Sequence, residues 1–356
     1  GWTLVATETV TTTGPLGVFV TGLMLDETYS FRHSIETSAG VIGSHSVFSL
    51  TTRALDTPET FIESQGYAFA DWSISNIWVH GPYDRHYPSI PGDIAGFYLG
   101  SLDAKRTYLI SEDVSVAILR SYEGMHPDNH LVIDAAPETN PTFTFDSGDL
   151  DVPGMIDVTR DLQQRYVNID FGTSTNTSLT VNLANDFEIR DGQPREQNVW
   201  FYAPITGGST ENPLSFKIVG TLDNQWIGRT VWLLNTDNSF RADLVCGDVL
   251  YPQANMRIKV GNNSIAFKNS MLGDPENTIT LHEKGSLFVF ASKSTSVLPR
   301  TIRGCGEVSS VWNAGNIWGI TFTEGTVLDP CNSEGDSFGT LKISVGTLAT
   351  DPQCKV

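Results

Sequence analysis

Short runs of alternating apolar and polar residues fill the chain, and no sustained helical period replaces them. In 29–35 the residues Tyr29, Phe31, His33 and Ile35 share one face of a predicted strand. Ser38-Ala39-Gly40 supplies a turn, and 47–52, rich in β-branched and aromatic residues, returns as a second strand. A shorter apolar strand precedes them at 18–20. Further strands are predicted at 108–110, 114–119, 130–133, 142–145 and 179–183. Their starts fall roughly 8–20 residues apart, with Gly, Asn or Asp in many of the gaps, a spacing that suits a sandwich or a solenoid. Only 160–166 offers one or two turns of helix. The polar, proline-containing stretch 53–60 reads as part of a linker spanning 54–65, which divides a module at 1–53 from a body at 66–356.

The first module carries Gly22-Leu23, Tyr29-Ser30-Phe31-Arg32, Ser38-Ala39-Gly40 and a closing Phe48-Ser49-Leu50-Thr51-Thr52. Over 16–53 it resembles the second half of a fibronectin type III domain. The resemblance implies a partial β-sandwich, with Tyr29 at the place of the corner tyrosine, and a spacer or adhesive role. Residues 1–13 supply only Trp2, Leu4 and Val5 before a threonine run, whereas a full domain takes about 100 residues. The expectation is an incomplete module that a neighbouring chain completes.

The body holds Pro88-Ser89-Ile90-Pro91-Gly92-Asp93-Ile94-Ala95-Gly96-Phe97. It then holds Leu233-Leu234-Asn235-Thr236-Asp237-Asn238-Ser239-Phe240, followed by Gly247-Asp248-Val249-Leu250. Near the end stand Leu328-Asp329-Pro330-Cys331-Asn332-Ser333 and Phe338-Gly339-Thr340-Leu341. In this order, over 70–345, they resemble the autotransporter-associated β-strand repeat proteins of bacterial surfaces, with Cys331 where that family has glycine. The resemblance implies an all-β chain whose body is a right-handed parallel β-helix; a β-sandwich or jelly roll is the alternative. In a solenoid, Asn235, Asn238, Asn262 and Asn263 suit the corners, where an asparagine amide bonds nearby backbone.

Charge narrows the partners. The net charge of −19 disfavours nucleic acid and anionic lipid. No apolar run reaches the eighteen or so residues of a membrane helix, so no membrane span is expected. The chain starts at Gly1 with no leader behind it, as if a signal peptide had been removed or the chain were cut from a longer one. The four cysteines Cys246, Cys305, Cys331 and Cys354, in a chain of secreted character, suggest up to two disulfides, with the pairing open.

Two clusters are candidates for chemistry. Asp146, Asp149 and Asp151 form an acidic turn that suits Ca²⁺ or plain solvation; it has neither the ligand spacing of an EF-hand nor its distal glutamate. Trp72, Trp78, Tyr83 and Tyr87, beside Asp71, Asp84, Arg85 and His86, suit either a glycan platform or a cap over the end of a solenoid. Trp200, Trp226, Trp232, Trp312 and Trp318 read as core or stacking residues. No nucleophile elbow, zinc motif or phosphate loop occurs, which leans against an enzyme. The expectation is therefore a secreted, structural or adhesive cell-surface protein that self-associates or joins neighbouring surface proteins. A carbohydrate-binding or carbohydrate-active protein is the alternative.

Overall fold

The computed structural model describes residues 28–32, 34–37, 40–43, 47–51, 59–62, 69–74, 77–78, 87–99, 105–124, 130–158, 168–176, 178–191, 198–220, 229–250, 252–262, 264–290, 296–297, 300–311, 320–323, 325–330, 340–344 and 348–350. The chain divides into two units, Gly1–Thr57 and Pro58–Val356. In the first, Thr28–Phe31 pairs antiparallel with Phe48–Thr51, Tyr29 opposite Leu50. Ser34–Thr37 pairs antiparallel with Gly40–Gly43 across the expected turn. The run 29–35 thus falls in two strands, Thr28–Phe31 and Ser34–Thr37. The strand expected at 18–20 and His33 lie outside the described residues.

The second unit is built from long parallel sheets. A first ten-stranded sheet runs Thr60–Ile62, Ile94–Leu99, Ile118–Gly124, Gly154–Val158, Phe187–Asp191, Leu214–Gly220, Ala242–Cys246, Ile279–Leu281, Thr301–Gly304 and Val327–Asp329. A second of ten runs Phe69–Asp71, Lys105–Ile110, His130–Ala135, Asn168–Phe171, Asn198–Phe201, Arg229–Leu233, Met256–Val260, Gly285–Phe290, Glu307–Val311 and Lys342–Ser344. A third side is strand in two stretches. Val114–Val116, Thr142–Phe145, Thr180–Leu183 and Ile205–Gly207 form one, and Ser296–Val297, Ile320–Phe322 and Leu348–Thr350 the other. The chain visits the sides in turn and returns one coil further on. The pairing between coils is parallel throughout the two long sheets, the connectivity of a parallel β-helix and not of an antiparallel sandwich or jelly roll. The first coil opens with Thr60–Ile62, inside the stretch expected to be linker, because Phe61 is wholly buried beside Ala95.

Alternation along each strand sends every second side chain inward, and parallel register stacks those side chains into columns. One inward column of the first sheet reads Phe187, Phe216, Leu244, Ile279, Ile302 and Leu328. On the second sheet, Phe171 and Phe201 stack with centroids 5.1 Å apart and planes at 6°. Aromatic pairs of this kind add about 0.5–1.5 kcal/mol beyond their buried area.

Corners bring backbone polar groups inside, and buried side chains satisfy them. Asp93, fully buried, accepts the amides of Glu59 at 2.9 Å, Ser89 at 3.0 Å and Ile90 at 3.2 Å. Asn238 accepts from the Ile205 amide at 2.9 Å and donates to the Met271 carbonyl at 2.7 Å, joining three successive coils. Asn277, also fully buried, donates to the carbonyls of Phe240 and Leu272 and accepts from the Ala242 amide and Arg241. Asn235 donates to Tyr202 one coil back, and Asn262 accepts from the amides of Ser264 and Ile265 in its own turn. Asn263 lies outside the described residues. No helix among the described residues is long and apolar enough to cross a membrane.

Candidate binding face on the second sheet

The residues of the second sheet that alternate with its core-facing ones fall into two neighbouring columns, of which Val132, Asp170, Thr230, Ser286 and Ser309 are buried. One reads His130, Asn168, Asn198, Thr230, Arg257, Ser286 and Glu307; the other reads Val132, Asp170, Trp200, Trp232, Lys259, Phe288 and Ser309. Their contacts lock them together. Trp200 and Trp232 lie with centroids 6.5 Å apart and planes at 13°. Lys259 Nζ stands 4.4 Å from the Trp232 ring centre, and the Arg257 guanidinium 5.5 Å from that of Phe288. Phe290 closes on Trp232 at 5.5 Å. Trp232 donates its indole N–H to Asn198 at 3.4 Å, and Asn198 donates its amide to Asn168 at 3.3 Å. At one end His130 Nε2 lies 2.7 Å from Asp170 Oδ1, and its ring is 5.5 Å from Trp200. Thr230 Oγ1, buried between Asn198 and Arg257, has no hydrogen-bond partner.

Such a face offers half-exposed indole and phenyl surface, amide groups and two cations held at fixed positions. Chemically it suits a ligand with apolar ring faces, hydroxyls and negative charge. The sequence identified Trp200 and Trp232 as core or stacking residues without showing that they share an outward column. In Asn198-Val199-Trp200-Phe201 two aromatics are adjacent, and alternation alone does not say which one faces out.

The aromatic cluster proposed from the sequence sits elsewhere. Trp72 and Trp78 are buried in the first coils, packed edge to face at 5.0 Å, with Phe97 and Tyr108 against them. Trp72 donates to the Pro88 carbonyl and Trp78 to the Trp72 carbonyl, so both indole N–H groups are used inside. Their ring faces are occupied by neighbouring rings. Tyr87, partly buried, donates its hydroxyl to Glu112 Oε1 in a short hydrogen bond. That bond, then burial and the nearby carboxylates, push its pKa up to about 12. Tyr83 lies outside the described residues.

The acidic turn joins Thr142–Phe145 to the next coil at Gly154–Val158. Asp146 Oδ1 accepts from the Gly148 amide at 2.9 Å and from Asn185 at 3.3 Å, closing the turn, while Asp149 and Asp151 are exposed. Among the described residues no group of three His, Cys, Asp or Glu side chains converges to hold a metal ion. Beside the turn opens a cleft of about 410 Å³, lined by Leu150, Asp151, Val152, Glu188 and Lys217 among others. Glu188 is engaged there by Arg190 at 2.6 Å.

The cysteines depart from expectation. Cys246 and Cys305 are free thiols, and no disulfide links them; Cys331 and Cys354 lie outside the described residues. Cys246 occupies an inward column between Ile218 and Leu281, where it packs as a small apolar residue. Burial pushes its thiol up to about 12, which keeps it protonated and unreactive.

The fold and the face define an all-β solenoid with an aromatic, cation-bearing outer sheet. Comparison of the chain with protein-family models, with curated proteins and with solved structures finds no match.

Proposed function

We propose that this chain is a non-enzymatic extracellular surface protein, a β-helical subunit that self-associates into a fibre, sheath or surface layer. The observation that carries this is the pair of open sheet ends. Among the described residues, Thr60–Ile62 and Phe69–Asp71 at one end each pair on one side only, as do Val327–Asp329, Lys342–Ser344 and Leu348–Thr350 at the other. Such edges accept another strand. Each is three residues long, so one edge offers few backbone hydrogen bonds and side chains must supply the rest of any contact with a neighbour. The resemblance to autotransporter-associated repeat proteins supports the surface setting. The resemblance of residues 16–53 to a fibronectin type III module supports the same extracellular setting.

Light scattering of the purified chain tests this. Regular oligomers or polymers are expected, and a strict monomer across pH and Ca²⁺ concentration would overturn the reading. The second reading, a carbohydrate-binding protein on the same scaffold, is favoured by one observation, the aligned Trp200 and Trp232 on the outward face.

A further inference from the structure

At the corner after strand Ala242–Cys246 the chain turns outward as Gly247-Asp248-Val249-Leu250. Leu250 is 76% exposed, more than any other large apolar side chain among the described residues, and Val249 beside it is 48% exposed. The turn is held from within. Gly247, at φ 96°, donates its amide to the Ile218 carbonyl of the preceding coil at 2.9 Å, and Asp248 Oδ1 accepts the Leu250 amide at 2.8 Å. With the backbone fixed, Val249 and Leu250 stand out as a preorganised knob. Lys284 is exposed on the same corner of the following coil, which Gln253 ties to this loop through Glu283 at 3.3 Å. At the other end of the first sheet's strands opens the cleft of about 410 Å³. Leu150, Val152 and Pro153 give it an aliphatic wall, the first two 38% and 39% exposed. Asp151 is exposed on that wall, and Lys217 is exposed on strand Leu214–Gly220. The cleft's other two carboxylates are engaged, Asp186 by the Ser215 amide at 2.8 Å and Glu188 by Arg190 at 2.6 Å. Asp248 lies within electrostatic reach of Arg190, but Glu188 already holds that guanidinium.

We propose that the Val249 and Leu250 knob of one copy of this chain docks in the cleft at 150–153 of a second copy. Val249 and Leu250 pack against Leu150, Val152 and Pro153, Asp248 pairs with Lys217, and Lys284 pairs with Asp151. Complementarity selects the occupant: the knob carries an anion, two aliphatic side chains and a cation, and the cleft carries the opposite charges around an aliphatic wall. Docking removes apolar surface from water on both partners at once. Knob and cleft are different patches at opposite ends of the strands, so the contact is heterologous. It leaves a knob unused on one copy and a cleft unused on the other, and repetition gives a filament, or a ring where the rotation closes. The proposal rests on the self-association reading and names a contact for it apart from the strand edges.

Sedimentation velocity of the full chain over a range of concentrations tests this. The unaltered chain is expected to form oligomers that grow with concentration. Leu250→Ser and Val152→Asp, both at exposed positions, are each expected to weaken association about tenfold or more while the melting curve stays in place. Mixed in equal amounts, the two variants regain one contact, the knob of the Val152→Asp chain in the cleft of the Leu250→Ser chain. The mixture is expected to stop at dimers under conditions where each variant alone is monomeric. Asp151→Lys is expected to weaken association, and Lys284→Asp added to it to restore assembly. Should Val152→Asp melt early, Asp151→Lys takes its place in the mixture. Oligomers unchanged by Leu250→Ser, a mixture without dimers, or a charge exchange without rescue overturns the proposal and leaves the self-association reading standing. An unaltered chain that stays monomeric at every concentration overturns both.

Discussion

Asn277 and Asn262 are the same residue type with different work. Asn277 is fully buried, and its amide meets two carbonyls, one backbone amide and Arg241 on neighbouring coils. Asn262 closes a half-exposed turn through the amides of Ser264 and Ile265. Removing the first strands several buried backbone groups, each costing about 1–3 kcal/mol, whereas water replaces the second. Asn277→Ala is therefore expected to lower stability by about 3 kcal/mol or more, and Asn262→Ala by about 1 kcal/mol or less, in urea unfolding. Equal losses would refute the distinction. Tyr87 gives a pH signature. Its folded pKa of about 12 lies above the ordinary tyrosine value near 10. The stability it contributes is complete below about pH 10 and disappears as pH climbs through about 12. Tyr87→Phe is expected to remove a late-ionising phenolate from an absorbance titration and to flatten the alkaline limb of the stability profile. The partial exposure of this residue keeps the effect small.

At the scale of elements, the coils come close enough that some positions admit no side chain. Gly304 has φ 104°, and a Cβ there would meet the Leu281 carbonyl oxygen of the preceding coil at 2.1 Å. Gly325 has φ 85° with open space around it. Gly304→Ala is expected to cost about 2–4 kcal/mol, against about 1 kcal/mol for Gly325→Ala, the strain of the backbone alone. Thermal melts of the two variants check this, and a benign Gly304→Ala would contradict the coil spacing. Strand identity was legible from alternation: the runs at 142–145 and 179–183 are strands, and Phe143 and Phe145 face in as their period requires. Coil boundaries were not. The run 114–119 looks like one strand but turns a corner at Ala117, where its amide bonds the Asp93 carbonyl at 2.7 Å and no Gly or Pro marks the bend. First-sheet strands start at Ile94, Ile118, Gly154, Phe187 and Leu214, intervals too uneven for a repeat to show in the sequence. The Pro-Gly-Asp segment was visible as a motif, yet its physical reason, Asp93 gathering three amides, needed the coils in place. The outward aromatic column was hidden for the same cause. Trp200, Trp232, Lys259 and Phe288 are far apart in sequence and become neighbours only through parallel register.

At the scale of the whole molecule, each coil of the solenoid is held by the coils before and after it, and among the described residues a terminal strand has a neighbour on one side alone. The Asp and Asn residues that look most like chemistry in the sequence, Asp93, Asn238 and Asn277, hold coil to coil and accept or donate with nearly every polar atom they have. Among the described residues the end strands pair on one side only, and the proposed self-association would use those edges. Electron micrographs of the purified chain put that account to its most direct test. Regular fibres, sheets or rings of repeating subunits, seen across pH and Ca²⁺ concentration, are the predicted result. A field of separate, single-chain particles under all of those conditions would contradict it.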